Sequence, residues 1–369
     1  MWFTEGGCYE GDCAIGRITM SGAITQYPLP TPYAGPGSIA AGPDGGLWFT
    51  EGIGQIGRIT TTGVITEYPI PTSNGGPGSI TKGPDGALWF TESQVNQIGR
   101  ITTSGAVTEY PITIPGSSYP GSITTGPDGA LWFTWGINPG GVGRITTSGS
   151  SSGYSFALLS NPGQIVTGPD NNLWLADGDG NIWQVTTTGV FSQYPIPIRP
   201  SGGGTGTLTL GPDGAMWFTV TCNPCSNDEI GRITTTGLFT EFPVPHDGSM
   251  GGIATGPDGA LWSTQTGFFL RIHSTIWRTP ACALGLSARA ERELVLVNLD
   301  LSTGAPATVT LVVGDTTVLD QPVHRTKQPL PYSEEINLAS FSGNSYLVKG
   351  KMTDSSGDLQ CAEWTTVHP

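Results

Sequence analysis

One ten-residue unit, Gly42-Pro-Asp-Gly-Gly-Leu-Trp-Phe-Thr-Glu51, returns along this chain and sets what it can become. It recurs almost unchanged at 83–92 and 126–134, and more loosely at 168–177, 211–219 and 256–264. A broken copy, Met1-Trp2-Phe3-Thr4-Glu5, opens the sequence. The tryptophans Trp2, Trp48, Trp89, Trp132, Trp174, Trp217 and Trp262 stand 41 to 46 residues apart. Around each lie short runs rich in Ile, Val, Thr and aromatics, bounded by Gly or Pro; in the second repeat these are 38–41, 46–51, 55–60 and 64–68. Four short antiparallel strands every 40–45 residues is the pattern of a β-propeller blade. A helical repeat of similar period fails, because Gly and Pro interrupt every window long enough for a helix. The load of 56 Gly and 30 Pro therefore reads as turns, not disorder.

Call the strands of a blade A to D from the axis outward. The A–B turn, Gly-Pro-Asp-Gly or Gly168-Pro-Asp-Asn171, keeps a fixed length, and so does the C–D turn ending in Gly22, Gly63, Gly105, Gly149, Gly189 or Gly237. The B–C and D–A connections vary; from Trp to the strand C Arg or Gln the spacing is 15, 10, 11, 12, 10, 15 and 9. Strand direction alternates, so the two fixed turns share one face and the two variable loops share the other. Binding usually sits on variable loops carried by a rigid scaffold. The fold expected is all-β: a seven-bladed β-propeller over residues 1–279, then a small immunoglobulin-like β-sandwich over 280–369, where the repeat stops. Blade 1 starts in its strand B, so its inner strand is missing or supplied by another segment. The start inside a repeat reads as a truncated or internal N-terminus.

The formal net charge is −14 with 12% charged residues, which disfavours nucleic acid and anionic membranes. No apolar stretch is long enough for a transmembrane helix. Six cysteines suggest Cys8–Cys13, Cys222–Cys225 and Cys282–Cys361 disulfides, and with them an extracellular or periplasmic setting, the leader not being present in this chain. Cys222-Asn-Pro-Cys225 also has zinc-knuckle spacing, but Cys8 and Cys13 lie two blades away, so local disulfides are expected.

Several columns repeat. The Trp reads as inter-blade core and the Asp of Gly-Pro-Asp-Gly as a turn former. The strand C arginines, Arg17, Arg58, Arg100, Arg144, Arg232 and Arg271, read as anchors hydrogen-bonding blade-edge carbonyls or carboxylates. Three residues after each Trp the column is Glu5, Glu51, Glu92, Trp135, Asp177, Val220 and Gln265. Either these acids cap local backbone amides, or Glu5, Glu51 and Glu92 face one another and hold Mg²⁺ or Ca²⁺. On the variable face, Tyr33, Tyr119, Trp135, Asp177 and Phe268 are binding candidates, the aromatics as a platform for sugars or peptides or as ordinary loop packing. His246, in the link before blade 7, is the one propeller histidine placed to act as a base.

The repeat Pro-Gly-Ser-Ile-Ala-Ala-Gly-Pro-Asp-Gly-Gly-Leu-Trp-Phe-Thr-Glu, followed by Ile-Gly-Arg-Ile-Thr and Ile-Thr-Glu-Tyr-Pro, resembles that of the streptogramin B lyases, also called virginiamycin B lyases. The resemblance covers about residues 1–279. It implies a seven-bladed propeller that opens a cyclic depsipeptide by Mg²⁺-dependent elimination at its ester bond, without hydrolysis. It also implies a catalytic histidine 11 residues before a Trp and a metal-binding Glu three residues after one. Here the first column reads Gly37, Gly78, Gly121, Gly163, Gly206 and Gly251, and in the last two blades the second reads Val220 and Gln265. Glycine cannot move a proton. The sequence thus leads to a binding or scaffold protein, with a lyase using a carboxylate-bound Mg²⁺ and a relocated base as the alternative.

Overall fold

Alternating apolar and small residues between Gly and Pro stops favour strands that pair with their sequence neighbours. The computed structural model describes residues 1–6, 11–19, 23–136, 140–157, 159, 161–196, 204–221, 228–244 and 249–266, and from 275 on the strands named below. It is all β. Among the described residues no helix is long and apolar enough to cross a membrane. Two compact units divide the chain: Met1–Asp258 with Ser263–Ile276, and Gly259–Trp262 with Trp277–Pro369.

Six successive antiparallel sheets follow the repeats as propeller blades. Blade 1 has three strands, Trp2–Glu5, Ala14–Ile18 and Ile24–Pro28. Blades 2 to 6 have four each, in the order A-B-C-D. In blade 2 these are Pro36–Ala41, Leu47–Glu51, Gln55–Ile59 and Ile65–Pro69, and in blade 3 Pro77–Lys82, Leu88–Glu92, Gln97–Ile101 and Val107–Pro111. The inner strands lie side by side in chain order, Pro36–Ala41 next to Pro77–Lys82, and that next to Pro120–Thr125. A three-stranded sheet of Ser249–Thr255, Ala260–Thr266 and Thr275–Pro280 follows in the same phase. Thr275–Pro280 stands third in it. Beyond it run two antiparallel sheets. One holds Leu284–Glu291, Leu294–Leu301 and Tyr332–Asn337; the other holds Ala307–Val313, Thr316–Val323, Tyr346–Thr353 and Leu359–Val367.

The inner strands begin two residues earlier than their sequence suggests, because each starts with a bulge. In blade 3, Pro77 pairs with Glu92 and Ile80 with Phe90, so Gly78 and Ser79 together face Thr91. The bulge frees the Ser79 N–H, which donates to Thr91 Oγ1 at 3.0 Å. Thr91 Oγ1 in turn donates to the Gly121 carbonyl of blade 4 at 2.8 Å. Thr50 bridges blades 2 and 3 in the same way, Thr134 blades 4 and 5, and Thr219 reaches Gly251. Ser79 Oγ also accepts the Ile123 N–H of blade 4 at 3.2 Å, and Ser38 and Ser122 repeat this contact. A Cβ added at Gly78 would stand 2.9 Å from Thr91 Oγ1, and at Gly206 2.3 Å from Thr219 Oγ1.

Farther out, the aromatic core explains the remaining glycine columns. Trp48 and Phe49 are fully buried. The Trp48 Nε1–H donates to Asp44 Oδ1 at 3.1 Å, Arg58 Nε donates to Asp44 Oδ2 at 2.6 Å, and the Arg58 guanidinium lies over the indole. Blades 3, 4 and 6 repeat the Asp–Arg pair at 2.6 Å, so these arginines are the carboxylate anchors expected. In blade 5 Gln184 Nε2 donates to Asp170 in the arginine's place. Phe49 lies where a Cβ on Gly57 of strand C would be. Tyr68 stacks on Trp48 and crosses to the next blade, over Gly105, whose φ of +88° also requires glycine.

Thr91 is fully buried, and Thr91→Val keeps its volume while orphaning the Ser79 N–H and the Gly121 carbonyl. We expect this substitution to cost about 1–3 kcal/mol per orphaned group in urea unfolding, and Thr91→Ser, which keeps the hydroxyl, to cost less than Thr91→Val. Equal losses from both variants would mean that the methyl matters more than the bridge.

Candidate functional site

The variable face is built by the D–A links and the B–C loops. Each link turns sharply before the proline that opens strand A. The residue before that proline is left-handed in four blades: Gly35, Gly76, Tyr119 and Asn161, with φ of 59°, 61°, 55° and 45°. Tyr33, two residues before Gly35, is left-handed as well, at φ 58°. A tyrosine pays a steric cost there, which persists only where the surroundings enforce it. Both side chains point outward, Tyr33 at 63% and Tyr119 at 58% exposure. Tyr33 rests beside Gly11 of the blade 1 B–C loop.

The other binding candidates fall elsewhere. Trp135 is not on the surface: it is 1% exposed, packed where Cβ atoms of Gly141 and Gly153 would stand. Those glycines across strands C and D make room for an indole. Asp177 is also buried, its carboxylate accepting from the Asn181 backbone N–H, from Asn181 Nδ2 and from Trp183 Nε1 at 2.6 Å. It is a structural acid with every lone pair engaged. Phe268 and His246 lie outside the described residues. Cys13 is disulfide-bonded. Its expected partner Cys8, both members of Cys222–Cys225, and Cys282 of Cys282–Cys361 lie outside the described residues.

The glutamate column does not converge on the channel. Strand side chains alternate, and Glu51 shares a face with Phe49, so it enters the space between blades. Glu5 accepts from Gln26 Nε2 of its own blade at 2.8 Å. Glu51 and Glu92 are fully buried, and all four carboxylate oxygens lack a hydrogen-bond partner. Glu92 Oε2 lies against the link, 2.5 Å from where a Cβ on Gly75 would be. Among the described residues no three of His, Cys, Asp and Glu gather in a metal-binding group, so Glu5, Glu51 and Glu92 do not form one shared cluster. Each buried Glu has a second acid near it instead. Glu67 accepts from Thr31 N and Oγ1 at 3.2 and 2.6 Å, and Glu109 from Thr72 N and Oγ1 at 2.9 and 2.7 Å, tying the links to the outer strands. Burial pushes the Glu51 carboxyl up to about 8, and the Glu67 charge adds to it. Burial, then Glu109, pushes Glu92 up to about 7. Sequence reading missed Glu67 and Glu109, although their Thr-Glu-Tyr-Pro setting occurs at 66–69 and again at 108–111.

The profile of the virginiamycin B lyase family matches residues 1–158 and 117–268. A streptogramin B lyase structure is 34% identical, with a TM-score of 0.64, over 71% of this chain and 85% of that one. Virginiamycin B lyase from Staphylococcus aureus is 36% identical over 72% of this chain and 87% of its own, also at a TM-score of 0.64. A catalytically inactive His-to-Ala variant of the S. aureus enzyme, solved with quinupristin, is 34% identical over the same shares, 72% and 87%, at 0.64. No curated protein sequence matches the chain.

Raised carboxyl pKa values make stability fall with pH. From about 4.5 up to about 8 for Glu51 and about 7 for Glu92, the unfolded chain has released the proton while the folded protein still holds it, so unfolding is favoured as pH rises. In metal-free buffer we expect unfolding free energy to decline across this window, and Glu51→Gln and Glu92→Gln each to flatten the decline. An unchanged slope in both variants would show that other groups cause it.

Proposed function

This chain belongs to the virginiamycin B lyase family, and within it we propose a member that binds its ligand without cleaving it. The reading takes the ring as a seven-bladed propeller followed by an immunoglobulin-like β-sandwich, working outside the cytoplasm. Its ligand, a small molecule, glycan or protein, docks on the B–C/D–A loop face.

The glycine column carries the proposal. The position that the family resemblance gives to a catalytic histidine is here the bulge glycine. At Gly37, Gly78, Gly121, Gly206 and Gly251 an added Cβ would meet a threonine Oγ1 within 3.0 Å. The Thr50, Thr91, Thr134 and Thr219 hydroxyls also donate to a carbonyl of the following sheet, so they cannot turn aside without losing that bridge. That the S. aureus His-to-Ala variant is catalytically inactive supports giving this loss weight. Nor do the late-blade residues suit the family's Mg²⁺: Val220 is a buried aliphatic with no oxygen to offer. Tyr33 and Tyr119 supply what a binding face needs, two exposed aromatics held in costly backbone conformations.

Identity to the lyases favours a second reading, ring opening with a carboxylate-bound Mg²⁺ and His246 as relocated base. The two readings separate with quinupristin and Mg²⁺. Elimination within a ring leaves the mass unchanged, so the linear isomer must be sought by chromatographic retention and fragmentation. We expect intact quinupristin, together with saturable binding of quinupristin or of a glycan on an array. Tyr33→Ala or Tyr119→Ala should weaken that binding about tenfold, or ~1.4 kcal/mol. A linear isomer that forms with Mg²⁺ and not after chelation would overturn the binding reading.

A further inference from the structure

Among the described residues, the innermost strand of blade 1 is Trp2–Glu5, and it stands at the edge of its sheet. Its counterparts Leu47–Glu51, Leu88–Glu92, Leu131–Trp135 and Leu173–Asp177 are each covered by a strand that begins at a proline. Trp48, Phe49, Thr50 and Glu51 are buried, whereas Trp2, Phe3, Thr4 and Glu5 are each half-buried. Pro36–Ala41 of blade 2 lies beside Trp2–Glu5 as Pro77–Lys82 lies beside Leu47–Glu51, so blade 1 keeps its station in the row. On the other flank, Asp258, in the turn after Ser249–Thr255, is near enough for its charge to act on the Met1 ammonium. The place between them continues the row of inner strands.

Two polar groups bordering that place are left over from the relay that joins the other blades. Thr50, Thr91, Thr134 and Thr219 each accept an N–H from their own bulge and donate to the next sheet. Thr4 holds the same position and, among the described residues, does neither. The N–H groups of Ile80, Ile123, Ile165, Leu208 and Ile253 each donate to a side chain on the preceding blade's inner strand. The Ile39 N–H points the same way, because Ser38 before it gives its own N–H to Thr50, and among the described residues it meets no such acceptor. A strand edge with open N–H and C=O groups is a template for one more strand.

We propose that blade 1 is a strand-acceptor site, which binds an extended segment of another polypeptide, reading Pro-Gly-Ser-Ile or close to it, as its fourth and innermost strand. The register of blade 2 assigns each position. Proline would face Glu5, as Pro36 faces Glu51. The second residue must be glycine, since Thr4 Oγ1 would stand where Thr134 Oγ1 stands, 3.0 Å from a Cβ on Gly121. The third gives its N–H to Thr4 and needs a short hydroxyl side chain to accept the Ile39 N–H. The fourth would face Phe3, as Ile39 faces Phe49, and takes a β-branched aliphatic side chain. Main-chain hydrogen bonds supply affinity in such strand addition, and alternate side chains supply specificity. The added strand needs neither Tyr33 nor Tyr119 of the loop face.

The test is titration of the full chain with an acetylated and amidated peptide of residues 119–126, Tyr-Pro-Gly-Ser-Ile-Thr-Thr-Gly, read by calorimetry, thermal unfolding and hydrogen exchange. One peptide per chain, a higher Tm and slowed exchange within Trp2–Glu5 are expected. The Gly121→Ala form of the peptide should bind about tenfold more weakly, and so should the unaltered peptide to Thr4→Val, whose own melting shows that it folds. Equal binding of the two peptides would reveal an unspecific sheet edge and overturn the proposal. Absence of peptide binding would overturn it too, and if the chain then self-associates in sedimentation, the edge belongs to a second copy.

Discussion

The threonine hydroxyl under four of the inner-strand bulges ties neighbouring blades together. Thr91 Oγ1 accepts the N–H that the bulge frees and passes its own proton to the next blade's carbonyl. Two groups that a buried bulge would otherwise orphan are satisfied by one atom. Ser79 adds a second link by accepting the Ile123 N–H. In blade 5 Gln164 Oε1 takes over that acceptor role toward Leu208, and in blade 6 Thr207 toward Ile253. The blades are therefore joined by a directional polar relay as well as by apolar surface, and the relay fixes how far one blade sits from the next.

The same hydroxyl decides what the channel end of each blade can carry. A side chain at the bulge must displace it, so bridging threonine and reactive side chain compete for one volume. Blade 5 is the informative exception. There Ala176 stands in the threonine's place, and a Cβ on Gly163 would meet nothing nearer than the Ala176 carbonyl at 3.3 Å. Thr205 restores part of the lost link by donating to the Asp177 carbonyl at 2.6 Å. Glycine in the other described blades follows from the bridge, and glycine at 163 does not.

Much of this was legible in the sequence, because it depends on spacing. The Trp ruler gave the blade period, the Gly-Pro-Asp-Gly turn gave the A–B hairpin, and the strand C arginines were read correctly as carboxylate anchors. What escaped depends on register. A period of two sends Glu51 to the Phe49 face and away from the axis, and a strand boundary wrong by one residue reverses that conclusion. Trp135 looked like a surface aromatic because the two glycines that receive it, Gly141 and Gly153, lie on other strands. The bulge itself left no mark beyond Gly-Ser after proline, and only pairing shows that two residues there oppose one.

Glu51, Glu92 and Asp177 show how a duplicated unit diverges under electrostatic constraint. All three occupy one column and all three are buried. In blade 5 the hairpin partner is Asn181, whose amide N–H groups turn toward the acid, and Trp183 on the same strand adds a third donor. In blades 2 and 3 Gly57 and Gly99 replace that tryptophan, since Phe49 and Phe90 fill the space above them. The phenylalanine that packs the blade thus removes the donor that its acid would have used. An acid retained under such packing must find its counter-charge outside the protein chain, as a proton or as a cation.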